Sequence, residues 1–171
     1  MAAAEQGLDL AALVREHQAG LWRYLRALGA EPFLADDLAQ EVFLAALRSG
    51  FVQRSRGETI RWLRTTGRNQ YLKARQKQGR EISTAQLETL DRRWQELDRD
   101  GDGETAVTAL RRCLEQLDDK PRQALALQYT HGLAREQVAQ KLGMTDDGVK
   151  TLLARTKARL KKCMELRVRE G

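Results

Sequence analysis

The sequence predicts an all-α protein made of two small helical domains joined by an acidic linker. Strong helix formers such as Ala, Leu, Arg, Glu and Gln fill long stretches of its 171 residues, and only two prolines interrupt them. Apolar residues recur at helical spacing along these stretches, and no stretch shows the alternation of a strand. Charges fall into blocks rather than mixing along the chain. We therefore expect domains at residues 8–80 and 106–165, with the linker at residues 81–105 between them.

Two helices are predicted at the start of the first domain. The first covers about residues 8–28 and ends at Gly29. The second covers about residues 34–48, and its apolar stripe is expected to include Leu47. Acidic residues in its first turns suit the positive end of the helix dipole. Gln40 and Glu41 lie beyond the first turn, so an exposed polar edge for a partner is an equally open interpretation.

A basic block follows on a third helix, predicted at about residues 58–78. From Arg61 to Arg80 the chain holds seven Lys or Arg residues and no acid, whereas a solvated face usually mixes signs to gain pairs four residues apart. Aromatic and amide side chains lie among the cations and suit stacking on bases and hydrogen bonding to base edges. The block is predicted to bind nucleic acid through Arg61, Trp62, Arg64, Arg68, Asn69, Lys73, Arg75 and Lys77.

The predicted linker is acidic, with a helical portion expected at about residues 86–97. Between Glu81 and Glu104 it holds eight acids and three bases. Its segment 98–103 begins like a calcium loop, but Ala109 stands where that loop needs a bidentate glutamate. We therefore expect no metal site. A further hypothesis is that the acids of the linker restrain the basic helices of the same chain.

The second domain contains the pattern of a helix-turn-helix. Ala139 is small where two helices cross, Gly143 suits the turn, and Thr145 suits the cap of the next helix. That next helix is strongly basic, although Asp146 and Asp147 at its start oppose DNA. A chance helical hairpin shares some of these features. DNA contacts are predicted at Thr145, Lys150, Thr151, Arg155 and Lys157.

Several other classes of protein receive little support. The chain has no glycine loop for phosphates, no metal-ligand cluster and only two histidines, so we predict no catalytic residue, metal or cofactor. Cys113 and Cys163 lie far apart without metal spacing and are expected to be reduced. The chain has neither a signal-peptide pattern nor an apolar run of about 20 residues, which predicts a cytoplasmic protein without membrane insertion.

Three motifs, in this order, resemble those of one known family. They are Asp36-Asp-Leu-Ala-Gln-Glu-Val-Phe43, the pairs Trp62-Leu63 and Arg68-Asn69, and Gly132-Leu-Ala-Arg-Glu-Gln-Val-Ala139 followed by Leu142-Gly-Met-Thr145. Together they are similar to the extracytoplasmic-function (ECF) type of sigma-70 factor, the promoter-recognition subunits of bacterial RNA polymerase. The resemblance covers about residues 10–162, apart from the linker.

The resemblance implies a role for each motif. The first would dock on the clamp helices of the polymerase beta-prime subunit, through Asp36, Asp37, Gln40, Glu41 and Leu44. The second would melt and hold the −10 promoter element, and the third would read the −35 element. The beta flap of polymerase and an anti-sigma factor are further partners that the family implies. Lys73 departs from the family, which often carries an aspartate in that neighbourhood.

Two other functions stay open at this stage. A stand-alone helix-turn-helix regulator explains residues 133–162, but it assigns no function to the motif at residues 36–43 or to the basic block. A calcium-responsive interaction protein rests on residues 98–103 and is weakened by Ala109.

Overall fold

The predicted all-α class is confirmed. The computed structural model describes residues 7–101 and 103–170, and every regular element in those ranges is helical. The elements are α1 (Leu10–Ala27), α2 (Pro32–Arg48), α3 (Arg56–Lys77), α4 (Thr84–Leu97), α5 (Glu104–Glu115), α6 (Asp119–Leu125), a π-helical turn (Ala126–Thr130), α7 (Arg135–Leu142) and α8 (Asp146–Glu170). The chain forms two compact units, and the division falls between Glu104 and Thr105.

Helices α1, α2 and α3 pack on one another to form the core of the first unit. Its fully buried side chains include Leu13, Leu25, Val42, Leu63 and Tyr71. Helix α3 comes close to α1 at Gly67, where an added Cβ would lie 3.3 Å from methyl groups of Leu21 and Leu25. A larger residue there would push α3 away from α1, because packed cores have little room to adjust.

Helix α4 belongs to the first unit, although its residues were interpreted as linker. Ser83 and Gln86 form a reciprocal capping box with distances of 3.2 Å in both directions, which fixes where α4 begins. Leu87 is 1% exposed and packs in the same core as α1 to α3. The acidic segment is therefore folded against the first unit over most of its length. A helix that buries one leucine fully gives only a weak signal in a sequence.

The second unit is built around the helix-turn-helix. Ala124, Val138, Ala139, Val149 and Leu153 are buried together between α6, α7 and α8. Gly143 ends α7 in the left-handed conformation with φ of 62°, where a side chain would be strained. The Thr145 hydroxyl accepts a hydrogen bond of 3.1 Å from the Gly148 amide and so caps α8.

The expectation of two reduced cysteines is wrong. Cys113 of α5 and Cys163 of α8 form a disulfide, with their Cα atoms 6.1 Å apart. Leu117 and Leu160 are buried beside it. The two cysteines are separated by 50 residues, so only the packing of α5 against α8 brings them together. The separation of the two cysteines along the sequence does not indicate that α5 packs against α8.

Within the described residues, no helix is both long enough and apolar enough to span a membrane.

Candidate nucleic-acid interface

One side of α3 presents an exposed basic and polar stripe. Arg61, Thr65, Asn69, Lys73 and Lys77 are all exposed, and each lies four residues after the one before. Residues four apart are neighbours on a helix surface, so these side chains form a continuous row. Among the residues that the structure describes, no carboxylate pairs with the three cations of this row. The row therefore offers positive charge, a hydroxyl and an amide to a ligand.

Two arginines predicted to bind nucleic acid lie on a different side of α3 and contact α4. Arg64 forms an ion pair with Asp98, whose side chain is 2% exposed, and donates a second hydrogen bond of 3.0 Å to the Gly101 carbonyl. Arg68 lies 3.1 Å from Asp91. Both arginines were predicted to bind nucleic acid, but in the folded unit each of them pairs with an acid on or just after α4.

The aromatic rings of Tyr24 and Trp94 complete this arginine cluster. The Arg64 guanidinium carbon lies 5.6 Å from the centre of each ring, which permits cation–π attraction. The Tyr24 hydroxyl donates a hydrogen bond of 2.5 Å to Asp91. Burial, together with this bond to a carboxylate, raises the pKa of Tyr24 well above its usual value. Arg64 is thus tied into a buried structural network.

In the suspected calcium segment, Asp98 and Asp100 form hydrogen bonds within the chain, and Asp102 lies outside the described residues. Asp98 accepts a hydrogen bond of 2.9 Å from the Gly103 amide in addition to its pair with Arg64. Asp100 accepts from the same amide at 3.1 Å. The described part of the chain holds no group of three or more His, Cys, Asp or Glu residues placed to bind a metal.

An aromatic groove at the start of α3 was not predicted from the sequence. Trp62 is half-buried and stacks on Phe51, with the ring centroids 4.6 Å apart. Val52, Arg54 and Glu58 complete an open groove of about 360 Å³. Only Trp62 stood out in the sequence, because Phe51 lies in the loop that precedes the basic block. Arg75, at the far end of α3, is half-buried beside Tyr71 and lines a separate groove.

The first acid of α8 is neutralised within the second unit. Arg135 Nε donates a hydrogen bond of 2.6 Å to Asp146 Oδ1. This bond lowers the pKa of Asp146 and raises that of Arg135. Arg135 therefore offsets the charge of Asp146, one of the two acids expected to oppose DNA, and Asp147 in the same turn is exposed.

A basic face runs along the exposed side of α8. Lys150, Thr151 and Arg155 are exposed, with the small residues Ala154 and Ala158 between and beyond them. Lys157 is also exposed, and its Nζ lies 5.1 Å from the ring centre of Tyr129. The structure thus brings four of the five residues predicted for this interface onto exposed α8, while Thr145 uses its hydroxyl to cap the helix.

The polymerase-binding residues implied by the resemblance lie together on exposed α2. Every one of them is exposed: Asp36, Asp37, Gln40, Glu41 and Leu44. Two apolar residues that were not predicted extend the same side, namely Phe33, which is 87% exposed, and Leu47, which is 52% exposed. The expectation that Leu47 packs in the core is therefore wrong. The face combines acids with unpartnered apolar side chains, a composition that suits a protein partner.

The comparisons with known proteins identify the family. A model described as Sigma-70 region 2 matches residues 13–81, and a model described as Sigma-70, region 4 matches residues 108–160. The chain belongs to the sigma-70 family. The form of its region 4 match is that of the ECF type, so the chain is an ECF sigma factor, as the resemblance indicated. Region 2 of this sigma factor contains α2 and α3, and region 4 contains the helix-turn-helix.

Other comparisons add little. A chain in a solved structure titled "1.8 A structure of RsbN-BldN complex" is 20% identical to this sigma factor, and the alignment covers 93% of this chain and 94% of that chain with a TM-score of 0.34. No curated protein matches the sequence.

Proposed function

We propose that this sigma factor binds core RNA polymerase and directs it to promoters through contacts with the −10 and −35 elements. It acts by binding rather than by catalysis. The observation that carries the proposal is the exposed α3 row from Arg61 to Lys77, which offers three cations to a ligand in a region 2 match. A DNA strand is the ligand that this row suits, because its phosphates attract cations and its bases accept edge contacts.

Contacts with the −10 element are proposed for α3 and the groove at its start. Arg61, Asn69, Lys73 and Lys77 would follow the strand, since all of them are exposed. The stacked pair of Phe51 and Trp62 offers a π surface on which an unpaired base stacks. Arg64 pairs with Asp98, directly after α4, and Arg68 pairs with Asp91 of α4, so these arginines would contribute only when those pairs open.

Contacts with the −35 element are proposed for the basic face of α8. The second helix of a helix-turn-helix enters the major groove with its N-terminal part, and that part here carries Lys150, Thr151 and Arg155. The ion pair of Arg135 with Asp146 supports binding of this part of α8 to DNA, because Arg135 offsets the charge of an acid that would repel phosphates.

Polymerase binding is proposed for the exposed face of α2. The acids at Asp36, Asp37 and Glu41 supply charge, while Phe33 and Leu44 supply apolar area. Family membership points to the beta-prime clamp helices as the partner of this face and to the beta flap as the partner of region 4. We also propose a cytoplasmic location, because the family acts on intracellular polymerase. An anti-sigma factor is a further proposed partner, because such a protein commonly binds members of the family.

The test is reconstituted transcription. The purified chain is added to core polymerase with a pool of genomic fragments, and the 5′ ends of the transcripts are mapped. We expect discrete start sites that share two upstream elements and that are absent with core polymerase alone. Sequence-specific duplex binding by the chain alone, without affinity for core polymerase, would instead favour the stand-alone regulator.

A further inference from the structure

The two sulfurs of the Cys113–Cys163 disulfide differ in their access to solvent. Cys113 is 2% exposed and lies in the small core with Leu117 and Leu160. Cys163 is half-buried and lines an open groove of about 380 Å³ on the outer side of α8. A thiolate that attacks the disulfide from solvent therefore reaches the Cys163 sulfur, and the Cys113 sulfur is the one that leaves.

The groove beside Cys163 is positively charged. Arg159, Lys162 and Arg167 line it, and Glu170 is its one acid within the described residues. Gln116 lies across from them, with its Oε1 atom 3.9 Å from the Cys163 sulfur. Cations around a cleft raise the local concentration of small anions and speed their association. An anionic thiol is therefore favoured over a neutral or cationic one at this disulfide.

We propose that the groove is a thiol–disulfide exchange site for an anionic low-molecular-weight thiol of the glutathione class. The thiolate attacks the Cys163 sulfur and forms a mixed disulfide there, while the S–S bond breaks and Cys113 leaves as a thiolate that takes up a proton from solvent. A second molecule of the thiol then attacks the sulfur of the first molecule in the mixed disulfide, and the bond to Cys163 breaks so that Cys163 leaves as a thiolate. The two thiol molecules depart as the oxidised dimer and leave both cysteines reduced. Oxidised glutathione drives the same steps in reverse.

Exchange at this site changes the covalent connection of region 4. The disulfide ties α5 to α8, and the packing beside it is a small cluster around Leu117 and Leu160. Disulfides in reducing compartments are mostly transient or redox-sensing, so the intracellular role proposed above implies regular exchange. Only this last step depends on the proposed function. The exchange chemistry itself is independent of polymerase and promoter.

The experiment measures how fast the oxidised full-length chain is reduced. Reduced glutathione is compared with 2-mercaptoethanol, whose thiolate carries no carboxylate, and the freed thiols are counted by alkylation and mass spectrometry. The double variant Arg159→Ala/Lys162→Ala should slow glutathione by on the order of three- to tenfold and slow 2-mercaptoethanol clearly less. The control Lys161→Ala/Arg169→Ala removes the same charge from exposed sites of α8 that do not line the groove, and it should leave both rates unchanged.

Two further readouts decide the proposal if the double variant does not fold. The trapped mixed disulfide should lie on the peptide with Cys163. The reduction rate with each thiol is divided by the rate of the same thiol with a small unstructured disulfide. In the unmodified chain, the resulting advantage of glutathione over 2-mercaptoethanol should shrink as the salt concentration rises, because salt screens exposed charges. A mixed disulfide on Cys113, or a normalised advantage that is absent at low salt, would overturn the proposal.

Discussion

At the scale of single residues, the pair of Arg135 and Asp146 links the two helices of the helix-turn-helix. It joins the first turn of α7 to the first turn of α8 through a hydrogen bond of 2.6 Å. The pair is partly exposed, and isolated exposed pairs contribute little to stability. Its effect is electrostatic, because the Arg135 guanidinium offsets the negative charge of the carboxylate at the start of α8.

The pair makes a prediction about pH. The pKa of Asp146 is lowered in the folded state, first by the hydrogen bond from Arg135, so its stabilising effect is present above the usual aspartate pKa of about 3.9. The effect is lost as pH falls through the lowered value. The difference in thermal midpoint between the wild type and Asp146→Asn should therefore be greatest near neutral pH and vanish in acid.

The control for this measurement is Asp147→Asn, in the same turn of α8. Asp147 shares the helix dipole with Asp146 but is exposed and has no hydrogen bond to Arg135. An equal pH dependence for both variants would show that the helix dipole, rather than the ion pair, is responsible.

A second residue-scale prediction concerns Arg155 on α8. If Arg155 contacts a base, Arg155→Ala should cost about 1–3 kcal/mol of promoter binding and relax the preference at one base position. The holoenzyme would be assayed on a set of single-base promoter variants. Arg111→Ala, an exposed arginine of α5, is the matched control. A uniform loss on all sequences with a smaller salt dependence would reassign Arg155 to a phosphate contact.

At the scale of elements, the outward face of α2 is exposed and carries both acids and large apolar side chains, among them Asp37, Phe33 and Leu44. Asp37→Lys should weaken binding to core polymerase by on the order of tenfold or more, because a reversed charge at an interface meets a like charge. Binding of labelled chain to core polymerase measures the effect, and helicity by circular dichroism checks the fold. Glu96→Lys, on the exposed side of α4, carries the same charge change as a control. Equal affinities for both variants would place polymerase elsewhere.

Helix α4 allows the restraint hypothesis to be tested by one substitution. Asp91 lies 3.1 Å from Arg68, whose side chain is 32% exposed, so Asp91→Asn should free a cation of α3. Exposed ion pairs are worth about 0.2–1 kcal/mol, so we expect affinity for single-stranded promoter DNA to rise by up to about fivefold at low salt.

Glu88→Gln is the control for that substitution, since Glu88 is an exposed acid on the same helix. Unchanged affinity with a lowered thermal midpoint would mean that Arg68 is a structural residue. Asp91→Asn tests the hypothesis more specifically than a deletion of residues 88–104 would, because the deletion would also remove Trp94 and Asp98 from the first unit.

At the scale of the whole molecule, the sequence predicted the features that depend on neighbouring residues and missed those that depend on contacts between distant segments. Helical periodicity correctly predicted the first helix, whose Leu13, Leu21 and Leu25 are buried, because periodicity depends only on neighbours three and four residues apart. The docking of α4 and the Cys113–Cys163 bond depend on distant segments, so neither followed from local pattern. The same reason explains why Arg64, which was predicted to bind nucleic acid, instead pairs with Asp98 in the fold.

The disulfide also determines how region 4 responds to a protease. Cys113 and Cys163 close a covalent ring that includes α6, α7 and the first part of α8. A single cut within that ring opens it but does not separate the two fragments. They would migrate as one species until a reductant is added, and the helix-turn-helix would stay covalently connected to the rest of the chain.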